Sequence, residues 1–132
     1  MNDPLVPAAV LVAGGVDLVV VGSAALMAYG DLEFAGDLDI VPNCTGSNLE
    51  RLYAELRLIA PSAPTARMLA TSDVATARTS FGPVDVLLER GRREFASLDR
   101  RSGSVDVHGV RVRIASRDDA WRLRREYKAM PA

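Results

Sequence analysis

The chain reads as an α/β (α+β) protein in which helices pack against a β-sheet, and three observations predict this. Short apolar runs with strand composition, "VDLVVVG" and "DLDIV", alternate with segments rich in helix formers. Gly, Pro and Ser clusters stand where each run must end. Leu49, Leu52, Tyr53 and Leu56 recur at helical spacing with Glu50, Arg51 and Glu55 off that face, which marks an amphipathic helix packed on a sheet.

In chain order, Asp3 is expected to cap a first helix with Pro4 in its first turn, and Gly14-Gly15 to end it. The strand "VDLVVVG" runs into Gly22-Ser23, where Ser23 is placed to cap the helix "SAALMAYG". "DLDIV" is the next strand, and Pro42-Asn43 and Gly46-Ser47 separate it from the helix "NLERLYAELRLIA". Beyond "APSAPTA", the runs "VATARTSF" and "VDVLLE" flank Gly82-Pro83 as two antiparallel strands, and "REFASL" makes a short turn or helix. Val105, Val107, Val110, Val112 and Ile114 alternate with Asp106, Arg111 and Arg113 around a His108-Gly109 turn, the pattern of a hairpin. Ser116 then caps a last helix in which Ala120, Leu123 and Tyr127 line one side beside Trp121.

At 132 residues the chain has the size of one domain, spanning 1–132, and can bury a core without staples. With 48% hydrophobic and 25% charged residues it has an ordinary globular composition. No apolar run approaches the roughly 20 residues needed to cross a bilayer, and the start lacks the basic residues of a secretory signal. A cytoplasmic protein with no membrane partner is expected. Cys44 is the only cysteine, so no internal disulfide can form, and it has no Cys or His companion at metal-ligand spacing.

Charge is unevenly spread. Residues 1–89 carry 4 basic and 11 acidic side chains, whereas 90–132 carry 12 and 6. Such asymmetry can join carboxylates that hold a cation to arginines that hold an anion, as a nucleoside triphosphate site requires. A nucleic-acid module without chemistry fits poorly, because net charge is −1 and only three Phe, three Tyr and one Trp are available for stacking.

The aspartates of "DLDIV" carry the chemistry. Side chains two apart on a strand point the same way, so Asp37 and Asp39 project together while Leu38 and Ile40 pack on the other face. Two carboxylates this close raise at least one pKa unless a cation compensates, and the pair therefore predicts Mg²⁺ (or Mn²⁺). Asp85 in "GPVDVLLE" is the candidate third ligand, because Val84, Val86 and Leu88 define the packed face of its strand. If that strand lies beside "DLDIV", three carboxylates converge. Such a trio can hold two metals about 3.5–4 Å apart, with Asp85 also placed as general base for an attacking hydroxyl. The Gly22-Ser23 turn supplies backbone amides and a hydroxyl for phosphate oxygens.

The order of these elements resembles the nucleotidyltransferase superfamily with the polymerase-beta-like fold: hydrophobic strand, Gly-Ser, helix, D-x-D in a second strand, a single Asp in a third. The segments are "VVVGSAAL", "DLDIV" and "VDVLL", with Ser23 lying 14 residues before Asp37 and Asp85 lying 46 after Asp39. The match covers about residues 16–89. Further on, "VRIASRDDAWRLRREYK" is similar to the closing segment of the minimal abortive-infection and toxin–antitoxin branch, with Arg124 where that branch usually has lysine.

The resemblance implies a mixed β-sheet with helices packed against it. It implies Asp37, Asp39 and Asp85 as Mg²⁺ ligands and catalytic residues, and Gly22 and Ser23 as phosphate binders. Arg124 or Lys128 would serve the leaving pyrophosphate. The implied reaction transfers a nucleoside monophosphate from a nucleoside triphosphate such as ATP to a hydroxyl of an RNA, protein or small-molecule acceptor. Three departures bear on activity. Glu33 and Ala35 replace an Arg and a Thr common before the D-x-D pair, no acceptor-binding domain is expected after the last helix, and "MPA" stands where the branch has a closing lysine and acidic positions. An acceptor site is then expected from loops, a homodimer or a cognate partner protein. The competing expectation is a relative that keeps the fold and works by binding a partner protein, antitoxin-like or regulatory. A third is adenylylation of a small molecule such as an antibiotic.

Overall fold

The computed structural model describes residues 3–33 and 35–129, with side chains through Glu126. Twelve elements follow in the order α1 (Val6–Ala13), β1 (Leu18–Val21), α2 (Gly22–Ala28), β2 (Leu38–Pro42), α3 (Gly46–Ile59), α4 (Ala66–Thr71), β3 (Val74–Thr79), β4 (Gly82–Leu87), α5 (Leu88–Arg101), β5 (Gly103–Val107), β6 (Val110–Ile114) and α6 (Arg117–Ala129).

The six strands form one sheet in the order β3-β4-β2-β1-β6-β5. It is mixed: β1 pairs antiparallel with β2 and parallel with β6, β2 pairs parallel with β4, and β3/β4 and β5/β6 are antiparallel hairpins. All four residues of β1 are buried, as a central strand covered on both faces requires. The core gathers around Leu18, Val19, Val20, Ile40, Leu26, Leu52, Leu56, Leu88, Leu98 and Ile114, side chains drawn from both faces of the sheet.

Local chemistry accounts for most boundaries. Gly14 closes α1 through its amide on Val10 O, and Gly15 takes φ +94°, a conformation that favours glycine. Thr45 caps α3 and Thr65 caps α4, each accepting the amide three residues on. His108 at φ +50° and Gly109 at φ +84° turn the β5/β6 hairpin as the alternation predicts. Ser116 caps α6 by accepting the Asp119 amide at 3.1 Å.

Four expectations are corrected. Asp3 does not cap α1: its Oδ1 accepts the Leu5 amide, and the helix begins later, at Val6, with Pro7 in its first turn. Ser23 is no cap either, because α2 starts one residue sooner, behind an extended Val21, and Ser23 already lies in the first turn. The segment after "APSAPTA" holds a short helix, α4, too brief for periodicity to reveal. The turn around "REFASL" is part of a longer helix, α5, with a kink at Glu94. Glu94 there pairs with Arg90 and Arg122, and Gly91, buried on the face that Leu88, Phe95 and Leu98 share, leaves that face without an apolar side chain between Leu88 and Phe95.

Candidate active site

A cleft of about 540 Å³ opens at the β2/β4 end of the sheet, lined by Val21, Gly22, Ser23, Asp37, Asp39, Val74, Thr76, Asp85, Leu87, Leu123 and Arg124. The separation in sequence between these residues disappears in the register. Val21 is opposite Asp39, Asp39 is opposite Asp85, and Asp85 is opposite Thr76, so one row crosses four strands. Cross-strand partners share a face, and this row delivers two carboxylates and a hydroxyl to the cleft.

Asp37 stands at a bend just before β2 rather than within the strand, and is exposed, while Asp39 is half-buried. Burial and the neighbouring charges of Asp85 and Asp37 push the Asp39 carboxyl up to about 7, and the hydrogen bond that a neutral Asp39 donates to Asp85 favours the same form. Among the described residues none of the three aspartates has an ion-pair partner. Carboxylates held against one another without a cation form a donor set suited to a divalent metal. Among the described residues no three acidic, His or Cys side chains stand as a ready-made ligand cluster. What the sheet fixes is the pair Asp39 and Asp85, and Mg²⁺ is usually held by one or two carboxylates with substrate phosphate and water completing its shell.

Gly22 adopts φ +71°, and a β-carbon there would collide with Asp39 Oδ2. Both the backbone conformation and the close approach of the carboxylate require glycine. The Ser23 hydroxyl accepts the Gly36 amide at 3.0 Å. Its own proton remains available to donate, so the same side chain can tie the loop before β2 and bind an anion. Asp85 is held from the other side, where Thr76 Oγ1 donates to its Oδ1 at 2.6 Å.

The far wall comes from α6. Asp31, just past α2, accepts from Arg117 Nε at 2.7 Å and from Trp121 Nε1 at 2.9 Å. Hydrogen bonds from Arg117 and then Trp121 hold the Asp31 carboxyl below its ordinary range. This clamp fixes the start of α6, and Leu123 and Arg124 follow on its cleft side. Arg124 is the one basic side chain lining the cleft among the described residues. Lys128 lies outside the residues whose side chains are described. Glu33 and Ala35 line a different cavity, of about 580 Å³, shared with Met27 and the β5 residues Val105 and Val107.

Thus Gly22, Ser23, Asp37, Asp39, Asp85 and Arg124 meet in one cleft. Sequence reasoning missed Thr76, Val74, Leu87 and Leu123. The period of two in "VATART" places Val74 and Thr76 on one face, but the face could be assigned only once β3 was paired with β4.

No family model matches the chain, and no curated protein matches its sequence. Its structure does have a counterpart in the crystal structure of a candidate nucleotidyltransferase from Thermotoga maritima. The two superpose with a TM-score of 0.61 at 14% identity, over 86% of this chain and 75% of the other. The chain has the nucleotidyltransferase fold. The mixed six-stranded sheet with its covering helices matches the architecture implied by the resemblance that "VVVGSAAL", "DLDIV" and "VDVLL" carry. Among the described residues no helix is long and apolar enough to cross a membrane.

Proposed function

We propose that the protein is a Mg²⁺- or Mn²⁺-dependent nucleotidyltransferase of the toxin–antitoxin type. It would move a nucleoside monophosphate from a nucleoside triphosphate to a hydroxyl of an RNA, protein or small-molecule acceptor. The observation that carries this reading is the register of β2 and β4, which sets Asp39 beside Asp85 next to the Gly22-Ser23 turn.

Asp37, Asp39 and Asp85 would hold the metal, which supplies charge neutralisation for the triphosphate and the transferring phosphoryl group. Phosphoryl transfer asks the protein mainly for positioning and electrostatic stabilisation. The Gly22-Ser23 turn would hold a phosphate through its backbone amides and the Ser23 hydroxyl, which has a proton left to donate, and Arg124 faces the same space with a permanent positive charge. Asp85 would accept the acceptor hydroxyl's proton. Val74, Leu87 and Leu123 give the cleft an apolar wall on which a nucleoside can rest.

Addition of ATP with Mg²⁺ or Mn²⁺ is expected to raise the thermal midpoint, because ligand that binds only the native state stabilises it by mass action. Asp39→Ala should abolish the shift. Absence of a shift with all four triphosphates would count against this reading and favour the second. That reading, a non-catalytic protein that binds a partner, is supported by Glu33 and Ala35 in place of an Arg and a Thr, and by Arg124 as the lone basic lining residue of the cleft among those described.

A further inference from the structure

We infer that Thr76 is a positioning residue for this site: its hydroxyl fixes the Asp85 carboxylate in the orientation that a divalent metal requires. The inference rests on the metal-dependent reading above and adds to it a residue that no motif marks.

The geometry is specific. Thr76 and Asp85 are direct partners in the β3/β4 ladder, and the Thr76 hydroxyl donates to Asp85 Oδ1 at 2.6 Å. Short hydrogen bonds of this kind, hydroxyl to carboxylate, are among the stronger ones. A free aspartate rotates about two side-chain torsions, so an anchored Oδ1 leaves Oδ2 as the oxygen free to turn toward Asp39 and a shared ion. β3 is an edge strand of the sheet, with Thr76 exposed to the cleft. Its hydroxyl could be solvated there at no cost, so its commitment to Asp85 is not forced by burial. Besides the contact with Asp39, the Thr76 hydroxyl supplies the one side-chain hydrogen bond to Asp85 among the described residues. Asp39 needs no such partner, since Gly22 lies against it and Asp85 confines its other side. Thr76 is thus the end of the row Val21, Asp39, Asp85, Thr76, where it stops the outermost carboxylate from swinging into solvent.

Groups that orient metal ligands through hydrogen bonds typically contribute about 10- to 100-fold in metal affinity. The test is Mn²⁺ titration of the metal-free protein, with free Mn²⁺ read by its paramagnetic resonance signal, for the wild type, Thr76→Val and Thr76→Ser. Valine keeps the β-branched shape and removes only the hydroxyl, and serine restores the donor. Thr76→Val is expected to bind Mn²⁺ about 10- to 100-fold more weakly, with a circular dichroism spectrum like that of the wild type, while Thr76→Ser stays close to wild type. Equal affinity in the wild type and Thr76→Val would overturn the inference and leave the metal-dependent reading standing. Failure of the wild type itself to bind Mn²⁺ would remove that reading and this one with it. Incubation of the wild type with Mn²⁺ and ATP, followed by peptide mass analysis, covers a different role for the same hydroxyl. A nucleotide adduct on Thr76 would make it an acceptor and end its assignment as a positioning residue.

Discussion

Asp39 lies half-buried between Gly22 and Asp85, and every cause acting on it in the metal-free protein except its residual solvation disfavours the charged form. Its folded-state pKa is raised to about 7, well above the ordinary carboxyl value. The contribution of this group to stability is therefore fully present below pH ~4, the unfolded value, and is lost as pH rises through about 7. Asp39→Asn, which cannot ionise, should raise the thermal midpoint of the metal-free protein at pH 8 and change it little at pH 4. Thermal melts of both proteins across that range check the sign. A midpoint for Asp39→Asn below that of the wild type at pH 8 would mean that the carboxylate is already compensated by something other than a metal. Divalent metal should bind more tightly over the same rise in pH, since it takes the place of the proton.

Within the helices, stability depends on ends as much as on faces. α3 starts at a capping threonine whose side chain accepts the Asn48 amide at 3.3 Å, and Asn48 in turn is buried and bonds Asp17 and Asn43. This ties the first turn of α3 to both β1 and β2 at the end of the sheet away from the cleft. Thr45→Ala should destabilise the protein by about 1 kcal/mol, with Thr45→Ser close to wild type. Urea denaturation measures this as a lower midpoint at unchanged slope. α2 has no side-chain cap, and the Ser23 hydroxyl that would supply one reaches instead to Gly36, joining the helix to the loop that carries Asp37. The element gives up a local hydrogen bond and gains a tie across the cleft.

Across the molecule, the cleft depends on strands that are far apart in sequence lying side by side. β2 lies between β1 and β4, and Ile40, fully buried, is opposite Val20 on one side and Val86 on the other. Ile40→Ala should cost about 2–5 kcal/mol through lost burial and the cavity left behind, read by chemical denaturation. The effect should be larger than that of the exposed capping substitution, because no neighbouring strand can collapse into the space without breaking the ladder. On the other side of the cleft α6 is fastened by Arg117 and Trp121 to Asp31, and the α5 kink is held by Glu94 with Arg90 and Arg122.

The amino-acid sequence on its own determined the order of the strands and of every helix but α4, and the hairpin at His108-Gly109, and it marked Gly22, Ser23, Asp37, Asp39 and Asp85 as candidates. Those features depend on period, turn chemistry and spacing, which are local properties of a chain. Only the tertiary structure decided that Asp39 faces Asp85, that Thr76 holds Asp85, that Ser23 bonds Gly36 instead of capping its helix, and that Leu123 and Arg124 close the cleft. Each of these depends on which strands become neighbours and in what register. A shift of one residue there turns every side chain to the opposite face, and the choice is made by burial summed over the whole sheet rather than by any segment of it.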